Sequence, residues 1–283
     1  MKSKVRFNYA MSKLHDYSLV EVRSGSYSLH TCVHDWTIEF LNRRFEQKLY
    51  RLAVRCIGQS VEQETEAEYW VKNRRLLQHI ERLEHDSIKD SINWNDTELT
   101  DLVSIANLCN QFNMNTKAEA IYLRALQGFE KVLGAEHMST LDTVNNLGIL
   151  YNNQGRMAEA EAMHLRALQG KEKALGPEHM STLNTVSNLG VLYNNQGRMV
   201  EAEAMYLRAL QGKEKAWGPE HISTLETVNN LGVLYANQGK IAEAEAMYRR
   251  AFQGLENAVG PDHAKTRKVA RNLKDLTNRV QDK

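Results

Sequence analysis

Apolar and polar positions follow a helical rhythm along the C-terminal two thirds of the chain, and that rhythm recurs every 42 residues. Copies begin at Thr140, Thr182 and Thr224, and the first two agree at 35 of 42 positions. A weaker copy precedes them, with Leu108, Ala118, Glu119, Ala120, Tyr122, Arg124, Ala125, Leu126 and Gly134 in register. A half copy follows, from Thr266 through Asn272 and Leu273 to the end. Each unit predicts two helices. In the first, from about Leu141 to Asn153, the residues Val144, Leu147, Leu150 and Tyr151 recur at helical spacing and make one buried stripe. Ser139 stands at its start with Asp142 three residues on, and Ser223 with Glu226 reads as a capping box. Gly155 ends it as a left-handed cap. The second helix, from about Met157 to Ala174, carries the stripe Ala160, Met163, His164, Ala167 and Leu168 and stops at Gly176-Pro177, since proline cannot continue a helix. Gly148 and Ala160 are small enough to let the two backbones approach. Neither helix can bury its stripe alone, so stability is expected from stacking neighbouring units into an elongated right-handed array.

The N-terminal third lacks this period. Residues 7–20 read as helical, Tyr17–Val22 and Tyr27–Val33 as strands joined by the turn Arg23-Ser24-Gly25-Ser26, and a long helix begins near Asp35-Trp36. The expected organisation is a small domain over 1–60, a helical spacer over 61–97 and the array over 98–283. Overall the fold class is all-α with one small β-hairpin.

Composition excludes several functions. The formal charge of +1 over 283 residues gives no global field for nucleic acid or an anionic membrane. Residues 1–58 have a basic excess, but the turn between the strands offers only Arg23, and no nucleic-acid partner is expected. Cys32, Cys56 and Cys109 are too few and too scattered for a disulfide framework. No signal-like or membrane-length apolar run occurs, and a cytoplasmic location is expected.

Candidate chemistry is sparse. His30, Cys32 and His34 alternate along a strand, but no fourth ligand at family spacing accompanies them, and no metal or other cofactor is expected. His137, His179, His221 and His263 recur once per unit and are expected each to tie down a helix end. Glu159, Glu161 and Glu172 lie among Arg156, Arg166, Lys171 and Lys173, a mixed pattern expected to be a solvated face with i,i+4 pairs. No nucleophile motif and no isolated carboxylate pair appears, so no catalytic residue is named. The polar face of the first helix is more telling. Asp142, Asn145, Asn146, Ile149, Asn152 and Asn153 are read as lying opposite the buried stripe. Their counterparts are Asn184, Ser187, Asn188, Val191, Asn194 and Asn195, then Glu226, Asn229, Asn230, Val233, Ala236 and Asn237. Asparagine is mildly unfavourable in mid-helix, so helix propensity did not select Asn146, Asn188, Asn230 and Asn272.

Val144, Leu147-Gly148, Tyr151, Ala160, His164 and Ala167, with Tyr206 and Tyr248 at the aromatic position of later copies, resemble the tetratricopeptide repeat. The 42-residue period resembles its kinesin-light-chain subclass. The resemblance implies a superhelix of about four repeats plus a terminal helix, with the first helices lining a concave groove. The asparagine face would then bind a protein segment or extended peptide. The string YSLVEVRSGSYSLHTCVHDW resembles the winged-helix part of NB-ARC and related signal-transduction NTPases, as in fungal NLR-like proteins. There a histidine touches bound nucleotide; Leu29-His30-Thr31 aligns with that motif, making His30 a vestigial sensor. No G-x-x-x-x-G-K-[ST] occurs, so no nucleotide binding is expected, and the chain reads as a winged-helix remnant plus repeats of an NLR-like protein lacking its NTPase core. The alternative is a kinesin-light-chain cargo adaptor, although residues 36–90 show no sustained heptads.

Overall fold

A computed structural model describes residues 94–281, strands at 20–23 and 26–29, and scattered positions between 51 and 80. Contacts divide the chain into two compact units, Met1–Val54 and Arg55–Lys283. In the first unit β1 (Val20–Arg23) pairs antiparallel with β2 (Ser26–Leu29), Val20 facing Leu29 and Arg23 facing Ser26. These strands are shorter than the sequence suggests and do not by themselves define a winged helix. The flanking helices expected there, and His30, Cys32 and His34, lie outside the described residues.

In the second unit α1 (Asp96–Gln111), α2 (Asn115–Val132), α3 (Met138–Asn153), α4 (Met157–Leu175) and α5 (Met180–Asn195) follow one another. Then come α6 (Met199–Trp217), α7 (Ile222–Asn237), α8 (Ile241–Val259) and α9 (Ala264–Gln281). Helices pack as hairpins, α1 with α2 through α7 with α8, and each second helix also packs on the first helix of the next unit. The expected stripes form the core: Val144, Leu147 and Leu150 are inaccessible, as are Ala160 and Ala167. A Cβ on Gly148 would come within 2.7 Å of the His164 ring, and one on Gly190 within 2.7 Å of the Tyr206 ring. A side chain there would overpack the crossing of the two helices.

Two local expectations are corrected. The first helices begin three residues before Leu141, at Met138, and at Met180 and Ile222 in later units. Their N-caps are His137, His179 and His221, whose Nδ1 accepts from the backbone N–H of Ser139, Ser181 and Ser223 at 3.2 Å. His263 does the same for Lys265. The recurring histidines therefore tie down helix ends, and Ser223 with Glu226 is not a capping box because Ser223 already lies inside the helix. A capping box does form at Asn95 and Glu98. The second correction concerns charge. Arg156 pairs with Glu119, Arg198 with Glu161, and Lys240 with Glu203, each pair joining successive units. Arg166–Glu130, Arg208–Glu172 and Arg250–Glu214 make a second such row at 2.5 Å. Of the charged pairs, Arg249–Glu245 is spaced i,i+4. Identical residues repeated every 42 positions meet across a junction when the units superpose, which intrahelical spacing does not anticipate.

The last helix, α9, buries Val269 and Leu276. It carries Lys274 and Thr277 where the preceding unit has Gly232 and Tyr235, the positions that receive a second helix. Polar residues there solvate the end of the stack.

Candidate polypeptide-binding face

Successive first helices touch one another, α1 with α3, α3 with α5, α5 with α7 and α7 with α9, while successive second helices stand farther apart. Closer spacing on one side places the first helices on the inside of the stack. This is the face that carries the asparagines.

The structure sorts those residues into three depths. Asn145 and Asn229 are buried, 8% and 4% exposed, with Ser187 buried in the same register. They sit in the junctions, not opposite the core stripe as read from the sequence, because the inner helices pack side by side and cover that flank. Asn146, Asn188 and Asn230 are half-buried, as are Ile149, Val191 and Val233 beside them. Asp142, Asn184, Asn153, Asn195 and Asn237 are exposed, and Glu226 is intermediate.

Many of the amides bond one another across junctions. Asn188 Nδ2 donates to Asn145 Oδ1 at 3.1 Å, and Asn272 Nδ2 to Asn229 Oδ1 at 2.9 Å. Farther along the helices Asn153 donates to Asn110, Asn195 to Asn152 and Asn237 to Asn194, at 3.5, 3.0 and 3.1 Å. Asn146 donates to Asn107 at 3.3 Å. Each partner is one period plus one residue away, except for the Asn146 pair. Apart from Asn230, the second asparagine of each doublet spends one N–H on its neighbour and keeps its other N–H and its carbonyl for a ligand. Ser187 interrupts the inner row, and among the described residues Asn230 makes no side-chain hydrogen bond.

Buried lysines lie behind this face, where sequence alone places Lys171 on a solvated face and does not single out Lys213. Lys171 and Lys213 are 2% and 3% exposed. Their aliphatic stems lie among core residues and their ammonium groups reach the junction. Lys171 Nζ lies 2.7 Å from Asp142 Oδ1 and bonds Thr185 Oγ1 at 3.1 Å. Lys213 bonds Thr227 Oγ1 at 3.1 Å, Ser187 Oγ at 3.3 Å and Ser223 O at 3.4 Å. Burial pushes its ammonium down to about 8, with Glu226 pulling the other way. A signal existed: both lysines occupy the register of Phe129 and Leu255.

His164, the odd residue among Tyr122, Tyr206 and Tyr248, is also buried. Its Nδ1 lies 3.2 Å from Asn145 Oδ1, which already accepts from Asn188, so Nδ1 carries the proton. Nε2 has no partner among the described residues. Burial, and after it the Lys171 charge, pushes His164 down to about 4.

Hairpin units stacked through their first helices define an α-solenoid. The sequence profile of the tetratricopeptide repeat family matches residues 98–173, 139–215, 181–257 and 223–282, and the chain belongs to that family. Comparison with curated proteins returned no match. Among solved structures, BtubC (BKLC) from P. vanneervenii superposes with a TM-score of 0.55 at 21% identity, over 82% of this chain and 85% of that one. A Podosopora anserina protein described as a kinesin light chain with nearly identical TPR-like repeats gives 0.54 at 18%, over 75% and 96%. At these identities the likeness is one of fold. No helix among the described residues is long and apolar enough to cross a membrane.

Proposed function

We propose that the chain is a non-enzymatic interaction scaffold that binds an extended polypeptide segment along the inner face of its repeat array. The observation that carries this reading is the row Asn146, Asn188 and Asn230, one half-buried amide per unit, flanked by half-buried Ile149, Val191 and Val233. Each amide keeps hydrogen-bonding capacity that a peptide backbone can use whatever its side chains. Sequence choice falls to positions that differ between copies: Asp142, Asn184 and Glu226 at one edge, Asn194 and Ala236 at the other, where the counterpart Asn152 is buried. The residues Asn153, Asn195 and Asn237 extend the exposed margin. Asn145 and Asn229, being buried, support the row from behind.

Two settings for this scaffold are supported differently. The sequence resemblance of residues 17–36 to the NB-ARC winged helix is what supports an NLR-like protein in which the array is the sensor and His30 a vestige of a nucleotide contact. Likeness of fold to kinesin light chain proteins supports a cargo adaptor as the second reading. Either setting is cytoplasmic and needs no cofactor, nucleic acid or membrane.

The test is selection of displayed random peptides on the purified chain, with their footprint mapped by hydrogen exchange. Protection is expected along α3, α5 and α7, and the triple variant Asn146→Ala, Asn188→Ala, Asn230→Ala should weaken binding by at least about tenfold. Peptides that bind the triple variant as tightly as the parent would remove the groove from consideration.

A further inference from the structure

The outer face of the array, made by the second helices, carries exposed apolar residues that neither the core nor the inner face uses. On α6 the outward positions at helical spacing are Val200, Ala204, Leu207 and Gln211, with Val200 80% and Leu207 47% exposed. The same register on α4 and α2 centres on Leu165 and Leu123, each 46% exposed, and is likewise free of charge at all four positions. Charged residues make up 25% of the chain, so three successive exposed strips without one are not a plain solvated surface. Between the strips lie ion pairs that join the units, Arg208–Glu172 and Arg198–Glu161 among them. Those charges are satisfied within the chain, and a partner can cover them without stranding a buried ion. The band stops in the last unit, where Arg249 takes the place of the leucine and pairs with Glu245 at 2.6 Å.

The band is complementary to itself. Each leucine stands at the middle of its helix: Leu123 in Asn115–Val132, Leu165 in Met157–Leu175 and Leu207 in Met199–Trp217. A two-fold axis laid along this row brings every strip onto its own copy over its whole length, with the second helices antiparallel. Charge then matches as well. Both α4 and α6 have an exposed glutamate in the first turn, Glu159 and Glu201, and an exposed lysine in the last, Lys173 and Lys215. Glu201 and Lys215 are about four turns apart and so lie on the same flank of α6. Reversing the helix direction sets the lysine end of one copy against the acid end of the other, whereas within its own chain Lys215 reaches only Glu178 at 3.6 Å. The area suffices too. Three strips, each about 28 Å long and about 10 Å wide, offer about 850 Å² per partner, against about 800 Å² in a standard interface.

We infer that the outer face is an interface with a second copy of this chain, two arrays packing back to back through α2, α4 and α6 with these helices antiparallel. Such an interface is isologous, the same strips serving both partners. The inner faces then point away from each other, and the dimer presents two grooves to its ligands. This goes beyond the groove reading and does not depend on it.

Sedimentation velocity of the full chain across micromolar concentrations tests it. The parent should sediment as a dimer, and the double variant Leu165→Arg, Leu207→Arg should weaken the dimer by at least about tenfold. Arginine is already accommodated at this register by Arg249, and circular dichroism with the denaturation midpoint checks that the variant is folded. Leu207→Cys should form an intermolecular disulfide on mild oxidation, above the background of the parent. Val200→Cys should not, because the axis carries Val200 more than about 20 Å from its own copy. A parent that stays monomeric, or a dimer that survives both arginines, would overturn the interface. Val200→Cys that crosslinks as readily as Leu207→Cys would overturn the antiparallel packing. A monomeric parent in which Leu165→Cys also resists a thiol reagent would assign the band to another segment of the same chain instead.

Discussion

The junction α3–α5 and the junction α5–α7 are built from copies that differ at seven of 42 positions, yet they are chemically opposite. Three of those seven changes meet in one place: Asp142 becomes Asn184, Asn145 becomes Ser187 and His164 becomes Tyr206. The first junction holds an ion pair, an asparagine pair and a histidine bonded to it. The second keeps its lysine without an ion-paired acid, beside a cavity that extends across α7 to α9 and is also lined by Glu226. A duplicated repeat thus acquires a separate chemistry without touching its backbone, because the residues that stack the units are retained and the ones between them change.

The largest expected effect breaks both junctions together. Leu189 is buried on α5, the helix they share. Leu189→Ala should cost about 2–5 kcal/mol in chemical denaturation, as a large-to-small change in a packed core. If the unfolding midpoint does not move, α5 is not the keystone of the pair.

The next effect separates the junctions on the acid side. His164 titrates near 4 when folded and near 6.5 in the unfolded chain. Between those values the unfolded state binds the extra proton, so stability falls as pH drops from 6.5 toward 4, by up to about 3 kcal/mol. His164→Tyr, the residue present in the next copy, should flatten this limb. A variant with the parent's acid profile would show that His164 is not the group responsible.

On the alkaline side the second junction responds. Lys213 holds its proton to about 8 when folded, against 10.5 in the unfolded chain. The unfolded state then binds more protons between those values, so stability should rise from pH 8 toward 10, by about 2 kcal/mol. Above pH 10 Tyr122 and Tyr206, both pushed up by burial, oppose the trend. Asn184→Asp should remove the rise by stabilising the ammonium at lower pH, and a rise of unchanged size would contradict that.

The smallest effect interconverts the two. Asp142→Asn leaves Lys171 without its acid, and should cost on the order of 1 kcal/mol, discounted because Asp142 is more than half exposed. A double-mutant cycle with Lys171→Leu should show coupling, whereas additive effects would mean the ion pair contributes nothing.

The 42-residue period, the core stripes and the glycine stops were legible because each depends on residues close in sequence. Gly155 at φ 76° and Gly176 at φ 91° occupy backbone conformations that glycine enters freely. Histidine as N-cap was legible only as a helix-end contact, since serine is the commoner cap. What lies between units was not legible from spacing within a helix. The asparagine rows join residues 43 apart and the arginine rows residues 36 or 37 apart. Those distances become contacts only after one unit is laid on the next. Lys213 was hidden for a related reason: a lysine among Glu and Lys on a second helix reads as solvated until its register with Phe129 and Leu255 is considered.

The most direct test of the difference between the two junctions is an NMR pH titration of the Lys213 side chain, assigned through Lys213→Leu, in the parent and in Asn184→Asp. The parent should titrate near 8, and the aspartate variant should move upward. A Lys213 that titrates at the ordinary lysine value of about 10.4, and is unmoved by the internal carboxylate, would contradict the account.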